Sequence, residues 1–128
     1  MDIKLTDEQI ARDFPFLQAD IECGEGWYGL IYNMLTEISN ACKETKVPIE
    51  NIDVVQIKEK FGQLTCYVSF HKDSYKKVGK RIYRIIDNYM RKSTHICEFC
   101  GNPGELKRGP WTKTICNDCL ERINNETC

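Results

Sequence analysis

Apolar and polar positions divide the chain into a short helix, a long helix, a hairpin and a third helix. Thr6, followed by Asp7 and Glu8, has the chemistry of a helix N-cap with acids in the first turn. Pro15 lacks an N–H and drives Phe14 from helical geometry, so this helix is short. Ile10, Phe14, Phe16 and Leu17 should then dock onto the main body. From Trp27 the spacing is helical, with Trp27, Leu30, Ile31, Met34, Leu35, Ile38, Ala41 and Cys42 on one stripe. That helix ends near Lys46, because Pro48 cannot continue it. The intervening Asp20–Trp27 segment reads as turns. Its acids Asp20, Glu22 and Glu25 would repel a phosphate and are expected to face the helix dipole instead.

Residues 53–70 predict a β-hairpin. Val55 and Ile57 alternate with Gln56 and Lys58, and Leu64, Cys66, Val68 and Phe70 alternate with Thr65, Tyr67 and Ser69. Gly62 can supply the positive φ of a tight loop. An isolated hairpin is marginal in water, so helices must cover its apolar face. The third helix is expected from an N-cap at Asp73 or Ser74 to about Lys92. Tyr75, Val78, Ile82, Ile85, Ile86 and Tyr89 form its apolar stripe. Lys77, Lys80, Arg81, Arg84, Asn88 and Arg91 fall on the other side. Gly79 costs about 1 kcal/mol relative to Ala inside a helix, which predicts a close approach to another backbone.

The last third of the chain has few apolar residues but holds Cys97-Glu-Phe-Cys100-Gly101 and Cys116-Asn-Asp-Cys119. Two C-x-x-C pairs at this separation have the spacing of a tetrahedral four-cysteine zinc site. Two disulfides or a redox dithiol are the alternatives. Gly101 suits a turn around a metal, and Cys116 and Cys119 are placed on the first turn of a C-terminal helix. The fold class expected is α+β. Helices pack on a hairpin over residues 1–94, with a zinc-ribbon or treble-clef-like module over 95–128.

Net charge is only −1, yet the charges are segregated. Residues 1–70 hold twelve acidic against six basic side chains, and residues 71–95 hold two against eight. That asymmetry suits an acidic partner or phosphate, or complementary surfaces within one small protein. The N-terminal residues lack the apolar core of a signal peptide, and no apolar run spans a bilayer. Reduced thiols and a cytoplasmic setting, without a membrane, are therefore expected. Cys23, Cys42, Cys66 and Cys128 read as structural, Cys23 having no base or cation near it in sequence.

No catalytic constellation assembles from these residues. Of the two histidines, His71 ends a strand and His95, two residues before Cys97, reads as a surface residue or an alternative ligand. Glu22 and Glu25 have no recognisable partner motif, and a site filled by four thiolates leaves no position for water or substrate. The zinc is thus expected to be structural, fixing the Lys107–Lys113 loop beside the third helix. Lys77, Lys80, Arg81, Arg84 and Arg91, with Lys107, Arg108, Trp111 and Lys113, then form the candidate surface for a protein partner or for RNA or DNA. Trp111 could stack on a base or pack on the third helix. A small-molecule-binding protein or enzyme is the remaining class.

Three stretches carry a resemblance. Cys23-Gly-Glu-Gly-Trp27-Tyr, Val55-Gln-Ile-Lys-Glu-Lys-Phe-Gly62-Gln-Leu-Thr-Cys-Tyr-Val68 and Ile96-Cys-Glu-Phe-Cys-Gly-Asn-Pro-Gly104-Glu-Leu resemble small zinc-ribbon-containing proteins encoded by bacteriophages and prophages. The likeness spans about residues 20–120. Gln63 departs from it where a second glycine is frequent, and Cys119 where a histidine is frequent. The resemblance implies a phage source and, by analogy, action on a host protein or ribonucleoprotein. Inhibition of a defence system, of the anti-CRISPR type, is the sharpest form of that expectation.

Overall fold

The computed structural model describes residues 4–126, so Cys128 lies outside the described residues. Helix α1 (Asp7–Asp13) opens with a reciprocal capping box: Thr6 Oγ1 accepts the Gln9 N–H and Gln9 Oε1 accepts the Thr6 N–H. It stops at Phe14, one residue before Pro15. The chain then runs beside strand β2 (Ile52–Lys60), with Val54 N–H donating to Phe16 O and Gln18 N–H to Val54 O, both at 2.9 Å. Ile21–Glu22 forms a short strand, β1, parallel to β2 at Ile57 and Lys58. The turn-rich reading of this segment missed that strand, because two residues carry no alternation. Glu22 is consequently a strand residue. Of the three acids expected at the helix dipole, Glu25 is the one in the first turn, a 3-10 turn Glu25–Trp27 leading into α2 (Tyr28–Thr45).

Helix α2 buries Leu30, Ile31, Met34, Leu35, Ile38, Ala41 and Cys42 in the main core, packed chiefly against the third helix, with Trp27 sealed at its start. Lys46, at φ 59°, closes it in the left-handed conformation before Pro48. Strands β2 and β3 (Gln63–Phe70) are antiparallel, giving the sheet order β1-β2-β3. Their turn is Phe61-Gly62, both left-handed at φ 51° and 81°, as a two-residue hairpin requires. One expectation fails within β2. Val54 pairs with Val68 but Gln56 pairs with Tyr67, so Val55 is an unpaired bulge residue and stands 46% exposed. Val54 faces the core in its place, while Ile57 faces it as expected.

The third helix begins with a π-helical turn, Tyr75–Gly79, that runs into α3 (Lys80–Ser93). Neither expected N-cap works. Asp73 is left-handed at φ 62°, and the Ser74 hydroxyl donates back to His71 O at 2.5 Å. Val78, Ile82, Ile86 and Tyr89 enter the core and Ile85 is half-buried, but Tyr75 leaves the stripe and is 48% exposed. A Cβ on Gly79 would lie 2.2 Å from Tyr75 Cδ2. The glycine therefore makes room for a ring on its own helix, and not for another backbone. Across the helix pair, Tyr89 Oη donates to Glu37 and Arg81 pairs with Glu44.

Candidate metal centre

The first two cysteines lie on a tight turn. Cys97 N–H donates to Asn102 O at 2.7 Å and Gly101 N–H to Cys97 O at 3.0 Å, with Gly101 at φ 82°. A small antiparallel pair follows, β4 (Glu105–Lys107) with β5 (Lys113–Ile115), and then α4 (Asn117–Glu126). Cys116 stands just ahead of α4, where its thiol accepts the Cys119 N–H at 3.4 Å in the manner of an N-cap. Cys119 alone is on the first helical turn.

The four Sγ atoms of Cys97, Cys100, Cys116 and Cys119 all lie within 4.8 Å of one another, with Cys100 and Cys116 3.6 Å apart. A tetrahedral ion with bonds of about 2.3 Å to sulfur needs edges of about 3.8 Å, so this set could hold a metal ion. Burial opposes the Cys97 thiolate, yet backbone hydrogen bonds from Cys116, Cys100 and Phe99 bring its pKa down to about 7. Burial raises Cys100 and Cys119. One sulfur is thus readied as an anion, and those of Cys100 and Cys119 need a cation to release their protons.

The centre is stitched to the body by Glu98, 3% exposed between the first two cysteines. Its Oε2 accepts the Gly24 N–H at 2.9 Å, and its backbone carbonyl accepts the Gly26 N–H at 2.8 Å. Trp27 Nε1 donates to Ile96 O at 2.8 Å. A Cβ on Gly26 would sit 2.3 Å from Cys97 O, and one on Gly24 2.5 Å from Glu98 O. The Cys23–Trp27 motif is therefore a socket for the metal-binding turn. A second stitch joins the hairpins, where Thr114 Oγ1 donates to Gly62 O at 2.6 Å and Gly62 packs on Leu106.

These stitches relocate several candidate surface residues. Lys113 turns inward between Glu59 at 2.9 Å and Glu98 at 3.4 Å. Burial opposes its charge, but the two carboxylates prevail and raise its pKa. It is a structural cation. Lys113 is also the cation that sequence proximity could not place near Cys23. Burial, with Glu98 and Glu59, outweighs it and pushes the Cys23 thiol up to about 12, so Cys23 is protonated and unreactive. Trp111 stacks on Phe99 at 6.3 Å between centroids, half exposed and packed on the metal-binding turn. The Lys107–Lys113 loop accordingly projects from a hairpin seated on the Phe61-Gly62 turn. Lys107 Nζ donates to Asn117 Oδ1 at 3.2 Å, and Arg108 is exposed.

On α3 and the turn before it, Lys77, Lys80, Arg81, Arg84 and Arg91 are all exposed. Arg81, Arg84, Asn88 and Arg91 border a shallow groove of about 410 Å³ with Glu37 and Ile85. The Asp20–Trp27 segment contributes Glu25 and Gly26 to a cleft of about 490 Å³, shared with Tyr28, Phe99, Cys100 and Arg122. A third cleft, of about 640 Å³, lies between α2 and the start of β2, where Asp13, Phe14, Asn40, Lys43 and Asp53 meet. No helix among the described residues is long and apolar enough to cross a membrane. Comparison with known protein families, with curated proteins and with solved structures returned no match.

Proposed function

We propose that this chain is a zinc-stabilised, non-enzymatic binding protein that acts on a host protein or protein–nucleic-acid complex in a bacterial cytoplasm. The carrying observation is the closed set of four thiols within 4.8 Å of one another. Four thiolates satisfy a tetrahedral zinc ion and leave no position for substrate, so the metal serves as a fastener. The order of turn, hairpin and helix supports reading this part as a treble-clef-like module. The nearby charges of Glu59, Glu98 and Lys113 are consumed in holding this module to the body. The phage resemblance supplies the host, and interference with a defence complex is its sharpest form. Elemental analysis should find zinc near one per chain. Affinity capture from nuclease-treated host extract should yield a partner that re-forms a stoichiometric complex from purified components. Absence of the metal, or failure of every captured protein to re-form such a complex, overturns the reading.

Direct RNA or DNA binding is the second reading, favoured by the exposed basic residues Lys77, Lys80, Arg81, Arg84 and Arg91. It predicts affinity that falls steeply with salt. Replacing Lys80, Arg81 and Arg84 together by Glu should abolish that affinity and leave the fold intact. No detectable binding at low salt removes it.

A further inference from the structure

The most costly local geometry outside the metal centre lies where β3 passes into α3. Lys72 and Asp73 are consecutive left-handed residues at φ 53° and 62°, a conformation that L side chains adopt at a steric cost. The helix then opens on a π turn, a form concentrated at functional sites. A glycine is placed inside that turn, where helix propensity disfavours it, because the Tyr75 ring occupies the space of its Cβ. These departures together do not bury Tyr75. They hold it 48% exposed beside Tyr83, itself 41% exposed.

Phe70, Tyr75 and Tyr83 form one cluster. Centroid separations are 5.4 Å for Phe70–Tyr75, 5.9 Å for Phe70–Tyr83 and 6.2 Å for Tyr75–Tyr83. The rings brace one another, which fixes their orientation before any ligand arrives. Exposed lysines flank them in sequence at Lys72, Lys76 and Lys80, and Arg81, Arg84 and Arg91 continue the positive charge along α3. Asp73 and Asp87 are the only acids in residues 71–95. Outside that segment, Asp53 reaches His71 Nε2 at 2.5 Å and Glu44 pairs with Arg81, so both acids are engaged.

We propose that Phe70, Tyr75 and Tyr83 form a stacking platform for the bases of single-stranded nucleic acid, whose phosphates follow the basic residues of α3. Aromatic faces beside a cationic track are the two components of sequence-tolerant single-strand binding. A duplex keeps its base faces inside the stack and offers the rings nothing, whereas an acidic peptide would use the cations but not the rings. From Tyr75 to Arg91 the helical rise is about 24 Å, long enough for several nucleotides. The inference rests on the second reading above and names the form of nucleic acid and the residues that read it.

The test is fluorescence anisotropy with end-labelled oligothymidylate and oligouridylate of about eight nucleotides, against a duplex of the same length. The full metal-loaded chain is used throughout. Tyr75→Leu and Tyr83→Leu retain apolar bulk without a π face and should each weaken single-strand binding by roughly 5- to 150-fold. The salt dependence should stay unchanged, since no phosphate contact is removed. Tyr75→Phe and Tyr83→Phe should bind as the parent chain does. Circular dichroism and thermal melting of each variant separate lost stacking from lost fold, and Tyr83→Leu, on the regular part of α3, serves if Tyr75→Leu unfolds. Binding abolished by the triple Glu replacement yet indifferent to both Leu variants, or equal for duplex, overturns the platform and leaves the charge-based reading standing. No binding to any oligonucleotide at low salt overturns both. A purified protein partner that shields Tyr75 and Tyr83 without nucleic acid overturns the platform in favour of protein docking.

Discussion

Glu98 and Gly24, 74 positions apart, meet where the Gly24 N–H donates to the buried Glu98 carboxylate at 2.9 Å. The same carboxylate accepts from Lys113, which also reaches Glu59. Glu98→Ala would leave a part-buried N–H unpaired and Lys113 with one partner. The unfolding free energy should fall by roughly 2–3 kcal/mol, and by only about 1 kcal/mol for Glu98→Gln, whose amide oxygen still accepts from Gly24. Urea denaturation of the metal-loaded chain checks both values.

Two glycines three residues apart should respond in opposite directions. A Cβ on Gly26 meets Cys97 O at 2.3 Å and Gly101 N at 2.6 Å, and backbone atoms cannot step aside cheaply. Gly26→Ala should therefore lower both thermal stability and metal affinity, read by melting and by chelator competition. Gly29 has nothing within 4 Å of its would-be Cβ and lies exposed in the first turn of α2. Gly29→Ala should gain roughly 0.5–1 kcal/mol.

Removing the metal should affect more than the last third of the chain. Chelation should deprotect the amides of 97–126 to hydrogen exchange, and with them Gly24, Gly26 and the Trp27 indole N–H, which are bonded to Glu98 and Ile96. Amides in the middle of α2, sealed by the main core, should remain protected. Exchange spreading evenly through α2 would contradict this division.

Alkaline pH should weaken the fold through its buried acids. Burial pushes the Cys66 thiol from 9.0 up to about 12, and Tyr89 rises from 10.0 to about 12 through burial and its bond to Glu37. Above pH 9 the unfolded chain releases the Cys66 proton while the folded chain keeps it, so the unfolded state binds fewer protons and stability falls as pH rises. Denaturation midpoints measured under reductant from pH 7.5 to about 10.5 should decline beyond pH 9. Cys66→Ala should start lower and decline less steeply.

Much of the architecture was legible because it rests on local rules. The N-cap at Thr6, the α2 stripe and the cysteine spacing each rest on residues close in sequence. What escaped was decided across the chain or by one residue in excess. The bulge at Val55 inverts an otherwise correct alternation. Lys113 looks like a loop cation until Glu59 and Glu98 arrive from elsewhere in the chain. Tyr75 fits a helical stripe only if the helix keeps a regular period, and the π turn breaks that period. Glu98 sits between two cysteines, and its partner Gly24 is 74 positions away, so no local pattern marks it as the residue that closes the socket.

The stitch between residues 24–27 and 96–98 also sets an order of events during synthesis. The start of α2 leaves the ribosome long before its partners, which are separated from it by 69 and 74 positions. Cys116 and Cys119 follow those partners in the chain by about twenty positions. The nascent chain must therefore wait with Gly24, Gly26 and Trp27 unfastened until Ile96 and Glu98 have emerged. A metal ion held by all four thiols would be captured only after this stitch can form, and a chain truncated before Cys116 would keep the stitch but lack two of the four sulfurs.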